Sequence, residues 1–128
     1  MKKTFFISGH LDLTPEEFFV HYAPVILSKA SETEASFVVG DARGCDTMAQ
    51  SFLVELGLAH RTTVFHMFDS PRNHVSDGSG NRPRLMGGYR SDSKRDEAMT
   101  KASDADIAWV RDGREQSGTA KNIARRGG

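Results

Sequence analysis

Short β-favouring segments alternate with helix-favouring segments along this chain of 128 residues. The apolar runs predict strands at residues 4–8, 36–40, 62–68 and 106–110. Helical spacing of apolar residues and helix-start signals predict helices at residues 15–30, 45–57, 91–103 and 117–126. Strands that alternate with helices form a parallel sheet covered on both faces, joined by right-handed crossovers. We therefore predict an α/β fold, a Rossmann-like three-layer sandwich with a mostly parallel sheet of four to five strands.

The first helix has the clearest sequence signals. Thr14 stands at the cap position, Pro15 follows it in the first turn, and Glu17 completes a capping box. The helix is expected to run to about Ala30. Its predicted apolar stripe consists of Phe18, Phe19, Tyr22, Val25 and Ile26.

Composition limits the class of protein. The 17 Lys+Arg balance the 17 Asp+Glu, which argues against a general nucleic-acid binder but leaves room for a small anionic ligand. The length predicts one domain over residues 1–128. One cysteine, Cys45, and no long apolar run favour a cytoplasmic protein without a membrane span. No Cys/His spacing predicts a zinc site, so we expect neither a metal nor a cofactor.

A segment without periodicity, residues 69–88, separates the third strand from the next helix and is rich in Gly, Pro, Ser and Asn. We predict a long loop or lid here, since loops of this length are uncommon inside small domains unless they are functional or disordered. Phe68, Asp69 and Arg72 would then line the outer wall of a pocket.

Small and polar residues follow three of the predicted strands. These are Ser8, Gly9 and His10 after the first, the 40–46 turn (Gly40, Asp41, Arg43, Gly44, Asp46) after the second, and Ser117, Gly118 and Thr119 after the fourth. Ligands of parallel sheets bind outside the carboxyl ends of the strands, and helix N-termini bind anions. These residues therefore predict a phosphate or ribose site. The alternative is that the glycines only permit tight turns.

Charged residues near the predicted site leave two interpretations open. Arg90, Asp92 and Arg95 at the start of the third predicted helix either close over a ligand or pair with each other in solvent. His10 either contacts the ligand or is exposed. Basic residues at the turns and in the last third predict a cationic pocket rim; they are Arg43, Arg90, Arg95, Arg111, Arg114 and Lys121.

The same segments resemble the SLOG superfamily. Residues 40–46 (GDARGCD) are similar to its GGARGxD turn, and Trp109 to Ile123 is similar to its W-x-G-x-x-x-GT element. The opening Phe6-Ile7-Ser8-Gly9-His10 matches the family's first strand and loop. SLOG domains are Rossmann-like, so the resemblance implies a nucleotide or a nucleotide-derived phosphorylated ribosyl ligand of ADP-ribose type. It also implies a homo-oligomer, because relatives often pair.

The chain departs from the enzymes that are similar to it. Asn122 stands where the related phosphoribohydrolases carry a glutamate, and their PGG sequence is absent. The resemblance therefore favours binding, with sensing or sequestration of a nucleotide signal as the expected role, as in a phage-encoded protein acting against host defence. Two alternatives stay open. One is cleavage or transfer of an N-glycosidic bond of a nucleoside monophosphate, with Asp41, Asp46 or Asp92 as the catalytic carboxylate. The other is a DNA-processing accessory of the DprA type.

Overall fold

The computed structural model describes residues 2–32 and 34–127. Within these residues the strands are β1 (Lys3–Ser8), β2 (Ala35–Gly40), β3 (Thr62–Met67), β4 (Arg84–Tyr89) and β5 (Ala105–Ala108). The helices are α1 (Pro15–His21), α2 (Ala23–Ala30), α3 (Cys45–Glu55), α4 (Asp92–Lys101) and α5 (Gly118–Gly127), with a 3₁₀ turn at Ala59–Arg61. None of these helices is both long enough and apolar enough to span a membrane.

All strand pairs of the sheet are parallel, and the strand order is β4-β3-β2-β1-β5. The predicted α/β sandwich is thus confirmed. β1 pairs with β2 on one side and with β5 on the other. β2, β3 and β4 lie in sequence on one side of β1, and the chain then crosses to place β5 on the other side. The strand order therefore reverses at β1. A crevice forms at such a point, outside the carboxyl ends of the strands.

Alternation along β1 divides the core between the two faces of the sheet. Phe5 and Ile7 belong to the larger apolar cluster, which packs under α1, α2 and α3. Phe6 points the other way and joins Val38, Phe65 and Met99 under α4. Successive side chains of a strand alternate between faces, so an uninterrupted apolar run is what a strand covered on both sides requires.

The single helix predicted over residues 15–30 is wrong, because the structure has two helices that meet at Tyr22. Proline lacks an amide hydrogen, and its ring collides with the carbonyl four residues earlier, so Pro24 is accommodated only in the first turn of a new helix. Phe18, Tyr22 and Ile26 are buried as expected. Phe19 is 63% exposed and Val25 is 38% exposed, so the predicted apolar stripe is too wide.

The structure also corrects the prediction of a continuous loop over residues 69–88. β4 lies in this segment and forms the edge of the sheet beside β3. Its exposed side chains, its two consecutive glycines and an irregular register opposite β3 explain why no strand pattern is visible in the sequence. The part that remains a loop runs from residue 68 to residue 83.

Candidate functional site

A cleft of about 730 Å³ opens at the carboxyl ends of the strands, where the strand order reverses. Thirteen of the residues singled out in the sequence line it: Ser8, Gly9, His10, Arg43, Asp46, Arg72, Asp92, Arg95, Arg114, Ser117, Gly118, Thr119 and Asn122. They come from the ends of β1 and β2, from the first turns of α3, α4 and α5 and, for Arg72 and Arg114, from the loops after β3 and β5. The topology therefore brings together segments that lie more than 100 residues apart in the chain.

Eight other singled-out residues do not line the cleft; they are Gly40, Asp41, Gly44, Phe68, Asp69, Arg90, Arg111 and Lys121. Phe68 is 60% exposed. The glycines serve packing. A Cβ atom on Gly40 would lie 2.5 Å from Asp46 Oδ2, and one on Gly44, where φ is +77°, would lie 2.3 Å from the carbonyl oxygen of Leu11. Both glycines thus make room for neighbouring protein atoms.

Tyr22 joins the ends of the two strands that flank the crevice. Its hydroxyl donates to the carbonyl of Ser8 at 2.7 Å and accepts the N–H of Trp109 at 3.0 Å. Burial raises the pKa of this phenol, so the group stays neutral. Gly9 lets Tyr22 and Cys45 approach, because a Cβ atom there would lie 2.6 Å from the hydroxyl and 2.5 Å from the sulfur. Tyr22 and Cys45 therefore fix the position of the loop that follows β1.

His10 is buried and its ring orientation is fixed. Its Nε2 accepts the N–H of Arg111 at 2.9 Å, which places the proton of the neutral ring on Nδ1. Burial lowers the pKa of His10, and the nearby charges of Arg111 and Arg114 lower it further. His10 therefore lines the cleft as a neutral imidazole.

The 40–46 turn already uses part of its hydrogen-bonding capacity. The N–H of Ala42 donates to Asp46 Oδ2 at 3.1 Å, and the N–H of Cys45 donates to the carbonyl of His10 at 3.2 Å. The N-terminus of α3 therefore offers fewer amides to a ligand than the sequence indicates. Arg43 remains exposed beside it, and no carboxylate of residues 2–32 or 34–127 lies within ion-pair distance of its guanidinium.

Asp41 is the centre of a buried ionic network. Its carboxylate accepts from the backbone N–H and the guanidinium of Arg72 and from Arg95 Nη1 at 2.7 Å. Burial acts to raise the pKa of Asp41, but these hydrogen bonds outweigh it and lower the pKa to about 2. Arg95 also contacts Asp92 at 3.1 Å and Asp96 at 2.9 Å. The network ties α4 and the 68–83 loop to the end of β2.

The 68–83 loop is anchored to Asp41, directly after β2, and to Gln50 of α3 rather than lying free over the site. Asn73 Nδ2 donates to the carbonyl of Asp41 at 2.8 Å. Gln50, fully buried in α3, donates to the carbonyl of Asn73 and accepts the N–H of Val75 at 2.9 Å. These contacts fix Arg72 and Asn73 where they line the cleft.

The N-terminus of α5 is more open than that of α3. Ser117 Oγ caps the helix by accepting the N–H of Ala120 at 3.2 Å. Among the described residues, the N–H groups of Gly118 and Thr119 have no acceptor, and a Cβ atom on Gly118 would meet no atom within 4 Å. Ser8 lies on the same cleft, and its buried Oγ has no hydrogen-bond partner among those residues.

The charges that line the cleft are balanced, so the expected cationic rim is wrong. Four arginines and four aspartates line the cleft: Arg43, Arg72, Arg95 and Arg114, and Asp12, Asp46, Asp92 and Asp96. Arg111, expected on the rim, instead pairs with Glu17 at 2.7 Å and with Asp12 at 3.1 Å.

Sequence reasoning missed Leu11, Asp12, Ala42, Asn73 and Asp96 as lining residues. Two of them had a usable signal. Asp12 follows His10 by two positions, and Asp96 lies one turn beyond Asp92 on the same helix. In the described part of the chain, no group of three or more His, Cys, Asp or Glu side chains is placed to hold a metal ion.

Comparison of the chain with protein-family models, with curated proteins and with solved structures finds no match. The residues and geometry of the cleft are therefore the basis on which a function can be proposed.

Proposed function

We propose that this chain binds a nucleotide or a nucleotide-derived phosphorylated ribosyl ligand in the cleft. The observation that carries the proposal is Ser8, a residue that lines the cleft and whose buried hydroxyl lacks a partner among residues 2–32 and 34–127. A buried hydroxyl without a hydrogen bond costs about 1–3 kcal/mol, and rotation of the Ser8 side chain toward a ligand oxygen in the cleft would remove this cost.

Two features of the cleft suit phosphate. The unengaged N–H groups of Gly118 and Thr119 point out of a helix N-terminus, where the helix dipole favours negative charge. Arg43 supplies a guanidinium that no described carboxylate neutralises, and such groups bind phosphate in a bidentate manner. We expect a phosphate group to occupy the space between α5 and the 40–46 turn.

The carboxylates of the cleft suit hydroxyl groups. Asp92 and Asp96 line the cleft, and carboxylates accept hydrogen bonds from the ribose hydroxyls of bound nucleotides. The volume of about 730 Å³ lies in the range of small-molecule sites. A ligand with both phosphate and ribose therefore suits the donors and the carboxylates of the cleft better than inorganic phosphate does. In this proposal the protein senses or sequesters a nucleotide signal.

Cleavage of an N-glycosidic bond is the second candidate function, and Asp46 is the observation that favours it. Asp41 has no exposed side-chain surface, and Asp92 is paired with two arginines. Asp46 lines the cleft, and burial raises its pKa to about 7 despite the opposing effect of Arg95. A carboxyl group that titrates near neutral pH suits general acid–base chemistry. This route predicts release of free base from a bound nucleoside monophosphate.

We also propose that the chain forms a homo-oligomer through the outer surface of α1 and α2. Phe19 and Val20 are 63% and 68% exposed, and Leu27 on α2 is 48% exposed. Large apolar side chains grouped on one surface are typical of protein interfaces. Sedimentation equilibrium of the wild type and of Phe19→Ser tests this proposal. A monomeric wild type at micromolar concentration would contradict it.

Titration calorimetry with a nucleotide panel that includes AMP, ADP-ribose and cyclic ADP-ribose tests the proposed function. Ser8→Ala is expected to weaken binding about five- to fifty-fold while leaving the fold intact, since it removes one hydrogen bond to the ligand. Ser79→Ala, in the 68–83 loop and outside the cleft lining, is the matched control. Absence of heat and of any protein-bound nucleotide at millimolar concentration refutes the proposal. Chromatography of the recovered ligand separates binding from cleavage.

A further inference from the structure

Asp46 differs from the other carboxyl groups that line the cleft. Asp12, Asp92 and Asp96 each contact an arginine at 3.1 Å or less. Asp46 is 6% exposed and accepts one hydrogen bond, from the N–H of Ala42 at 3.1 Å. No cationic group among residues 2–32 and 34–127 lies within ion-pair distance of it. Asp46 is therefore the lining carboxyl group whose charge is least compensated.

The groups that surround Asp46 come from three directions. Arg95 and Asp96 face it from α4, and Asp41 faces it from the end of β2. Tyr22 and Cys45 also interact electrostatically with Asp46, and burial raises the pKa of both groups and keeps them neutral. Arg95 brings the nearest positive charge, but it already contacts Asp41 at 2.7 Å and Asp96 at 2.9 Å.

A charged Asp46 would thus add a further negative charge beside a guanidinium that Asp41 and Asp96 already share. Burial raises the pKa of Asp46 to about 7, and the negative charges of Asp96 and Asp41 act in the same direction. Near neutral pH, small changes in the local potential decide whether the proton is present.

We infer that Asp46 takes up a proton when an anionic ligand binds, and that the neutral carboxyl group then donates a hydrogen bond to a ligand oxygen. This inference rests on the proposed function, because it concerns the same cleft. The negative charge of a phosphate raises the cost of an ionised Asp46 beside it, whereas a protonated carboxyl group offers a donor. Ligand affinity and protonation are therefore linked, and affinity falls as pH rises.

Calorimetry in buffers that differ in ionisation enthalpy measures the linkage directly. ADP-ribose is the probe, because its diphosphate has no ionisation near neutral pH. At about pH 8, where free Asp46 is largely ionised, we expect uptake of close to one proton per ligand bound. The dissociation constant is expected to rise by up to about ten-fold per pH unit between about pH 8 and pH 9.

Asp46→Asn removes the ionisation but keeps an oxygen that accepts from Ala42. This variant is expected to bind ADP-ribose with proton uptake near zero and with affinity that does not depend on pH. Asp112→Asn is the matched control, since Asp112 is exposed in the loop before α5 and does not line the cleft. It should retain the wild-type uptake.

The outcomes separate this inference from the proposed function. If the wild type binds ADP-ribose without proton uptake, or if Asp46→Asn shows the same uptake as the wild type, the inference is overturned and the proposed function stands. If the wild type binds no nucleotide of the panel, both proposals fall together.

Discussion

Replacement of Asp41 by asparagine tests the buried network that organises the site. Asp41 has no exposed side-chain surface and accepts four hydrogen bonds through its side chain, three from Arg72 and one from Arg95. Asparagine has nearly the same shape, but its NH₂ group would face N–H donors. The substitution therefore leaves Arg95, itself only 5% exposed, with one fewer partner for its charge.

Two routes give the expected magnitude. Removing one partner of a buried ion pair typically costs about 3–5 kcal/mol. The pKa of Asp41, lowered from 3.8 to about 2, corresponds to about 2.5 kcal/mol of stability. The second value is smaller because a protonated carboxyl group keeps its acceptor oxygens, whereas asparagine replaces one of them by a donor. We expect Asp41→Asn to lower the free energy of unfolding by about 3 kcal/mol at neutral pH.

The change of the free energy of unfolding at acid pH tests the same network independently. A carboxyl group whose pKa is lowered by folding stabilises the native state above its unfolded pKa of 3.8, and this contribution is lost as pH falls through about 2. The wild type should lose it over this window, and Asp41→Asn should not. Urea unfolding followed by the fluorescence of Trp109, the single tryptophan, measures both quantities.

Asp92→Asn is the control, because Asp92 contacts the same two arginines but its side chain is 58% exposed. Its effect should stay within about 1 kcal/mol. Trypsin cleavage after Arg72 should accelerate in Asp41→Asn alone, since Asp41 holds that residue. If Asp41→Asn unfolds within about 0.5 kcal/mol of the wild type, the network does not stabilise the fold and the reasoning is refuted.

Three further substitutions test other contacts by urea unfolding. Gly9→Ala should cost about 1–3 kcal/mol, because its Cβ atom would lie 2.5 Å from Cys45 Sγ; an unchanged midpoint would contradict this packing. Tyr22→Phe should cost about 1–3 kcal/mol, since it leaves the part-buried N–H of Trp109 without its acceptor; a cost below about 1 kcal/mol would contradict this. Folding raises the pKa of Asp46 from 3.8 to about 7, so its contribution is present below 3.8 and lost as pH rises through about 7. Asp46→Asn should therefore gain stability relative to the wild type between about pH 5 and pH 8, by up to about 3 kcal/mol; a constant difference would contradict the raised pKa.

The strands that the sequence predicts well are those whose side chains are covered on both faces. Residues 4–8 and 36–40 are nearly continuous apolar runs because the sheet is buried between two helical layers. β4 has no such run, since as an edge strand it is largely exposed and contains Gly87 and Gly88. Hydrophobic periodicity in the sequence does not reveal such a strand, because none of its faces is buried.

The sequence predicts the location of the cleft better than the side-chain contacts within it. Strand ends and helix starts can be read from the sequence, and parallel topology brings them to one edge. The partners of Asp41 cannot be read in this way, because Arg72 and Arg95 lie 31 and 54 positions away along the chain. Gly40 shows the same limit: the sequence cannot tell space left for a ligand from space filled by Asp46 and Arg95.

The balance of charge in the cleft constrains which anions it can favour. Arg72, Arg95 and Arg114 already contact carboxylates at 2.8 Å or less, so a polyanion would have to displace Asp41, Asp92 or Asp12 to use them. Such displacement exposes a carboxylate to the incoming negative charge and makes binding weaker. A ligand with few phosphates can instead use Arg43 and the amides of α5, and its hydroxyl groups can use the carboxylates as they stand. The charges of the cleft therefore suit the proposed small ribosyl phosphate better than a nucleic acid strand.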